Sequence, residues 1–399
     1  MRLTWFCMLL ICMHQSLAQI ILLESSAHLH LDEQTTLYAE GEVFLSGTLD
    51  NQGEIAFEQH VDFGSNKELG TINFTGNENQ TVSGDSLNVQ KWRMNNSGRV
   101  DVFSPSVSIS GELDLESGVI STQFTRFIVS GIIKGGSHLS FVDGALTVNT
   151  RTGVETLFPM GYQGEYLPLT IADAGESILT ISLNPAEDHD QIVPSDSLVG
   201  VTNDIIWTIS QSKGAPIKSK VSLSYSNFDF MDLSGESEIK AESYSPVIVK
   251  RQSDSSYVSL GIGEGSDLDQ LSSGNLFSLQ EFFMDSDTVQ FAVGVLPRVS
   301  GLKLFVPTAF TPGSSDEANN LFRPFINELD IRSLDLKVWD SNNAKVFDKF
   351  WIDSPLNETG WNGQSNGRDV SQGIYYYQFK LIAGNGQAFN QSGTVMLIR

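Results

Sequence analysis

Cysteine is almost missing from this chain. Its two cysteines, Cys7 and Cys12, both fall in the first twelve of 399 residues, so a mature form lacking that segment can make neither a disulfide nor a thiolate metal site. Stability must then come from packing and backbone pairing. Positive charge is scarce too: 24 Lys and Arg stand against 48 Asp and Glu, a net charge of -24. A field of that sign repels nucleic acid and anionic polymers. Pro105 is the single proline between Gln19 and Phe158, which suits a region of many paired strands. After the first residues no apolar run approaches the roughly 20 residues that a spanning helix needs, and helical periodicity is nearly absent throughout.

The amino terminus reads as a secretory signal over residues 1–18. Arg2 supplies the basic region, Leu3 to Met13 the apolar region, and Ser16-Leu17-Ala18 a small-residue cleavage site ahead of Gln19. Cys12 follows the bulky Ile11 inside the apolar run, which does not fit lipoprotein processing. Loss of Arg2 would take the net charge from -24 to -25. The acidic excess is uneven: residues 19–300 carry 14 basic and 38 acidic side chains, residues 301–399 carry 9 and 10. A solvated acidic body and a charge-balanced tail are expected to have different jobs.

Short alternating runs bounded by Gly, Asn, Asp and Ser recur along the body: "GTINFTG", "GRVDVF", "SVSISGELDLESG" and "GALTVN". Period-2 patterning of this kind predicts an all-β chain. Within residues 19–152 the breaks return at intervals of about 20 to 26 residues, the length of one turn of a parallel β-solenoid. Hairpins of an antiparallel sandwich are the competing explanation of the same spacing. Pro159, Gly161, Gly164 and Pro168 then change the texture, and longer strands such as "SILTISLNP" and "SKVSLSYS" predict a β-sandwich over residues 153–300. A further break is expected near Pro297 to Gly301.

The last hundred residues place "AFTPG", "LDLKVWDSNNAKVF", "WNGQSNG", "GIYYYQFKL" and "GTVMLIR" in order up to Arg399. Together they resemble the gliding-motility-associated C-terminal domain, the type B sorting domain of type IX secretion, over about residues 301–399. Phe310, Thr311 and Pro312 stand at the family's Phe-Thr-Pro. Trp361 and Gly363 stand at its Trp-Asp-Gly turn, Gly373, Tyr375 and Tyr377 at its Gly-Val-Tyr-Tyr-Tyr strand, and Gly393 to Arg399 at its terminal strand with a closing basic residue. The chain departs from the pattern with "GSSDEANN" where Asn-Gly-Asp-Gly is usual, with Asn362 for Asp, and with Ser371 for a common proline. The resemblance implies passage across the inner and then the outer membrane of a Gram-negative cell with the type IX machinery as partner, while an Ig-like β-sandwich is the simplest closure of the tail's strands. The tail motifs also make physical sense alone: "DSNNAK" and "WNGQSNG" are turns rich in residues that tolerate positive φ. In "GIYYYQFKL", Ile374, Tyr376 and Gln378 should face one way and Tyr375, Tyr377 and Phe379 the other.

Candidate chemistry is sparse. Gly363 to Gly367 has the spacing of a nucleophile elbow around Ser365, but such an elbow needs a following helix and partner Asp and His residues. Residues 301–399 contain no histidine, so Ser365 is read as part of a hairpin turn. His28, His30 and Asp32 share one face of a strand, and two imidazoles with a carboxylate suit a divalent metal. With no further ligand to name, they are read as a solvent face, and no metal or cofactor is expected. Glu187 to Gln191 and Ser314 to Asn320 lack the Asp-x-Asp-x-Asp-Gly pattern of a calcium loop. "GIGEGSD", Gly261 to Asp267, lacks the Lys and helix of a phosphate loop. A carbohydrate-active enzyme would need convergent carboxylates and aromatic platforms, for which Trp92 and Trp207 are the body's only tryptophans. The expectation is a secreted, non-enzymatic, adhesive or surface-binding protein found outside the cell or on its surface. A secreted carbohydrate-active enzyme with the same sorting domain is the alternative.

Overall fold

The computed structural model describes residues 20–66, 68–185, 198–202, 204–228, 244–268, 270–284, 286–297, 304–314, 317–326, 331–352, 359–383 and 388–399. The signal-peptide assignment, the break near Pro297 to Gly301 beyond Pro297 itself, and Glu187 to Gln191 fall outside them. The chain is all-β, the one helical element among the described residues being the four-residue turn Glu317–Asn320. It divides into two compact units between Phe141 and Val142.

The first unit contains a β-solenoid, part of a fold of about seven turns. Its strands are β1 (Ile20–Leu23), β2 (His28–Leu31), β3 (Thr36–Ala39), β4 (Glu42–Leu45), β5 (Thr48–Asn51), β6 (Glu54–Phe57), β7 (Val61–Asp62), β8 (Thr71–Gly76), β9 (Gln80–Ser83), β10 (Leu87–Phe103), β11 (Ser106–Ser121), β12 (Arg126–Val129) and β13 (Ile132–Gly135). Every pairing among them is parallel. Thr71 pairs with Lys91, Lys91 with Glu112 and Glu112 with Ile132 on one face, while Leu87 pairs with Val107 and Val107 with Phe127 on another. One coil therefore takes about twenty residues, the short end of the interval read from the sequence. Coil length varies among the first coils: Thr36 stands opposite Glu54 and Glu54 opposite Thr71, shorter steps than that of Ile20 opposite Glu42. Parallel stacking of this kind excludes the antiparallel hairpin explanation of the repeat for this region.

Alternation puts one apolar column on the inside of each face. Ile55, Ile72, Trp92 and Leu113 lie in one ladder and are all buried. Phe57, Phe74 and Trp92 continue as a ring stack, with centroids 5.7 and 4.8 Å apart, and Phe127 meets Trp92 edge-on at 5.5 Å. Each such side chain contributes about 1.5–3 kcal/mol by leaving water. Corners are a different problem, because a turning backbone leaves buried carbonyls without ladder partners. Side chains at the corners meet that need. Asn66 donates to the carbonyls of Leu45, Gly47 and Phe63 and accepts from the Leu49 amide. Gln80 donates to Phe57 and Gln59, and Thr125 to Val102 and Ser104. At Gly118, φ is +91° and an added Cβ would lie 1.7 Å from the Asn96 carbonyl oxygen, so only glycine fits.

The second unit, Val142–Arg399, holds two separate sets of sheets. In the first, antiparallel pairing joins Leu146–Asn149, Ile178–Pro185, Ile205–Lys213, Thr288–Pro297, Tyr244–Arg251 and Tyr257–Ser259. A second antiparallel sheet joins Thr156–Phe158, Leu169–Ile171, Val221–Tyr225 and Gly274–Phe277. These sheets carry the longer strands expected over residues 153–300 and give this region a sandwich-like all-β character, with Leu146–Asn149 joining from before that range. Trp207 is fully buried there and donates its indole N–H to the Leu167 carbonyl at 3.1 Å, while Phe282 and Phe291 meet edge-on at 5.1 Å.

The tail is a module with its own pairing and its own core. A five-stranded sheet runs in the order Ala309–Phe310, Ala388–Leu397, Gly373–Ala383, Ile331–Trp339, Lys345–Ile352. Short pairs, Leu304–Phe305 with Phe325–Ile326 and Gln364–Ser365 with Arg368–Asp369, complete it. Among the described residues, no strand pairing joins the tail to the rest of the chain. Its core of Phe310, Phe322, Leu334, Leu336, Val338, Trp351, Trp361, Tyr375, Tyr377, Phe379, Leu381, Val395 and Leu397 comes from the tail alone. Alternation along Gly373–Ala383 is as expected: Tyr375, Tyr377 and Phe379 are buried, Ile374, Tyr376 and Gln378 exposed.

Candidate functional site

The tail's motif residues converge on one region of the five-stranded sheet. Phe310 is buried on the edge strand that pairs in parallel with the last strand, through Ala309 with Met396 and Phe310 with Leu397. Its ring lies 5.3 Å from that of Trp361, and Trp361 meets Tyr375 edge-on at 4.9 Å. Trp361 is held by a two-way backbone bridge with Phe322 and by its indole N–H, which donates to the Gln364 carbonyl at 2.9 Å. Thr311 donates its amide to the Asn319 carbonyl at 2.8 Å, tying the Phe-Thr-Pro segment to the short helical turn.

Glycines permit the closest approaches. Gly363 has φ +75°, and a Cβ there would lie 2.7 Å from Leu397 Cδ1 and 2.8 Å from Pro312 Cγ. Three motif pieces distant in sequence thus touch at one backbone atom. Gly393 lies beneath the Tyr377 ring, where a Cβ would meet the phenol oxygen at 2.6 Å. Gly373 opens the long strand, opposite Leu397. Tyr375 donates to the Ser371 carbonyl at 2.6 Å, and burial pushes its phenol and that of Tyr377 above their usual pKa.

Arg399 closes the arrangement. Its guanidinium donates to the carbonyls of Gly363 and Val370, at 3.0 and 3.2 Å, and to the Asp369 carboxylate at 2.8 Å. Asp369 is held below the usual carboxylate range, first by a hydrogen bond from Gln364 and then by Arg399. Phe310, Pro312, Trp361, Gly363, Tyr375, Tyr377, Gly393 and Arg399 therefore belong to one packed, hydrogen-bonded cluster, with Thr311 tied to the helical turn and Gly373 at the start of the paired strand beside it. Its exposed rim is Asn362, Asn366 to Asp369, Ile374 and Ile398.

Ser365 sits in a hairpin. It pairs with Arg368 across Asn366 and Gly367, whose φ values of +50° and +75° make a type I′ turn. Among the described residues no helix follows Ser365, and the sequence of residues 301–399 holds no histidine, so the surroundings that a nucleophile elbow requires are not found there. The glycine-rich stretch Gly261 to Asp267 contains a turn as well. Asp267 of the glycine-rich stretch accepts from the amide and side chain of Asn275. In the partly described Ser314 to Asn320 loop, Asn320 accepts from the Gly313 amide.

Sequence reading pairs His28 and His30 with Asp32 but misses Asp50, and it misses a charged cluster altogether, because the partners lie a coil or more apart. His30 stands opposite Asp50 in the β2–β5 ladder. Its Nδ1 lies 2.8 Å from Asp50 Oδ2 and its Nε2 3.1 Å from Asp32 Oδ1, and these two hydrogen bonds, Asp50 first, raise its pKa. His28, His30 and Asp50 present ligand atoms within 4.8 Å of one another. On the β8–β10–β11–β13 face, Glu112 is paired with Lys91 at 2.5 Å and Lys134 at 2.6 Å, and Arg93 reaches Glu54 and Asp114. The Lys134 bond, then the Lys91 bond, pull Glu112 down to about 2. A coil step of about twenty residues, applied to the sequence, would have found both sets.

Scans against protein-family models, curated proteins and solved structures found no match to this chain.

Proposed function

We propose that this chain is a secreted or cell-surface protein without enzymatic activity, whose body is adhesive or surface-binding and whose residues 301–399 are a sorting domain read by the type IX secretion machinery. One observation carries the reading. Phe310, Pro312, Trp361, Gly363, Tyr375, Leu397 and Arg399 come from four segments of the tail, yet meet in one cluster inside a module with its own core. Residues matched to the family on sequence order alone are therefore spatial neighbours, as a common fold requires. An export receptor needs a tail that folds without its cargo, and a separate core supplies that property.

The body fits the role of passenger. Its acidic surface and parallel coils offer an extended, water-compatible face, and repeat architectures commonly bind through such faces. The enzyme alternative loses its nominated platforms, because Trp92 and Trp207 are both 0% exposed. The test is deletion of residues 301–399, followed by localisation of the chain in a host with the type IX system. Retention of the truncated body in the periplasm, with the intact chain at the surface, is expected. Unchanged surface delivery of the truncated body overturns the reading.

A further inference from the structure

We propose that His28, His30 and Asp50 form a binding site for a divalent transition metal of the zinc type, with Asp32 orienting His30 from outside the ligand set. The first argument is placement. All four residues lie on or next to paired strands of the first two coils, β2 and β5, where ladder register puts His30 directly against Asp50 and His28 against Thr48. Period 2 turns His28 and His30 to the same outer face. Behind them Leu31 and Leu49 are buried in the coil, and Asn66 accepts the Leu49 amide at 2.8 Å, which fixes β5 from beneath. The donors thus stand on a rigid frame rather than on a loop.

The second argument is the hydrogen bonding already present. His30 Nε2 faces Asp32 Oδ1 at 3.1 Å, leaving Nδ1 aimed at Asp50 Oδ2 at 2.8 Å. A histidine that ligates a metal through one nitrogen generally gives its other N–H to a carboxylate, and this is that geometry. The ion would sit between Nδ1 and Asp50 Oδ2, opening that contact slightly, and the His28 ring is close enough to supply the third donor. Two imidazoles and one carboxylate select zinc, copper, nickel or cobalt over calcium and magnesium, which prefer all-oxygen sets. The side chains of His30 and Asp50 are 42% and 47% exposed, so a fourth position remains open to water or to an external ligand. The net charge of -24 favours any cation approaching the surface. A bound ion would tie β2 to β5 through side chains as well as backbone, clamping one coil to the next.

The experiment is Zn2+ titration of the untagged full chain by calorimetry, beside His30→Ala, Asp50→Asn and Asp32→Asn variants, with Co2+ absorption as a second readout. Because the ligands are exposed, the variants are expected to keep the parent's circular dichroism. The expected result is one equivalent of Zn2+ lost, or weakened at least about tenfold, in His30→Ala and Asp50→Asn. Asp32→Asn should weaken it about tenfold while leaving the stoichiometry intact. Co2+ should give the intense visible bands of a low-coordinate site in the parent and not in His30→Ala. Equal Zn2+ binding by parent and variants overturns the proposal, as does Ca2+ competing at equal concentration, since either result marks diffuse attraction to the acidic surface.

Discussion

The guanidinium of Arg399 donates to the carbonyl of Gly363 at 3.0 Å, so the last residue of the chain is fastened to a turn 36 positions earlier. That contact, with those to Val370 and Asp369, holds the end of the strand Ala388–Leu397 in the sheet. Arg399→Ala should therefore fray this strand, raising amide hydrogen exchange over residues 394–397 while the strand Ile331–Trp339 keeps its protection. Unchanged exchange at the terminus would show that the guanidinium contributes nothing to closure.

Gly363→Ala tests the close approach itself. The added methyl must displace Leu397 and Pro312 at a positive φ, and overpacking with a left-handed backbone should cost about 1–3 kcal/mol. Chemical unfolding of the tail's core should shift accordingly. Ser365→Ala, two residues further on, should stay within about 0.5 kcal/mol, because that side chain is partly exposed in a hairpin.

In the solenoid, Asn66→Ala removes a donor shared by three carbonyls and an acceptor for the Leu49 amide. Leaving such buried backbone groups without partners should destabilise the first unit by about 1–3 kcal/mol. Trp92→Ala, which empties the centre of the aromatic stack, should cost more, about 3–5 kcal/mol. Denaturant midpoints that reverse this order would contradict the packing described.

Acid should reveal the Glu112 cluster. The folded pKa of about 2 lies below the ordinary value of 4.5, so the folded state binds fewer protons than the unfolded one. The resulting stabilisation is complete above about 4.5 and is lost as the pH falls toward about 2. Glu112→Gln should be less stable than the parent at neutral pH, with the gap closing across that window and narrowing in high salt. A gap independent of pH would assign the loss to packing.

Much of the architecture was legible because strand signals are local. Alternation such as that of Tyr375, Tyr377 and Phe379 needs only neighbours in sequence, and Asn366-Gly367 needs only its own φ preferences. The solenoid's inner columns followed from the same period. Less legible was the length of a coil, since breaks such as Gly98 and Gly118 sit inside β10 and β11 at a register shift that only the pairing of the two coils fixes.

What the residues by themselves determined is the all-β character, the two-fold periodicity of each strand, the acidic body and the order of the tail motifs, all consequences of short-range sterics and composition. Only the tertiary structure decided which distant groups meet. Stacking of coils set Asp50 against His30 and Glu112 between Lys91 and Lys134, and sheet closure set Arg399 against Gly363. Those encounters depend on register between segments about twenty or more residues apart, and a shift of one residue would have turned each side chain to the opposite face.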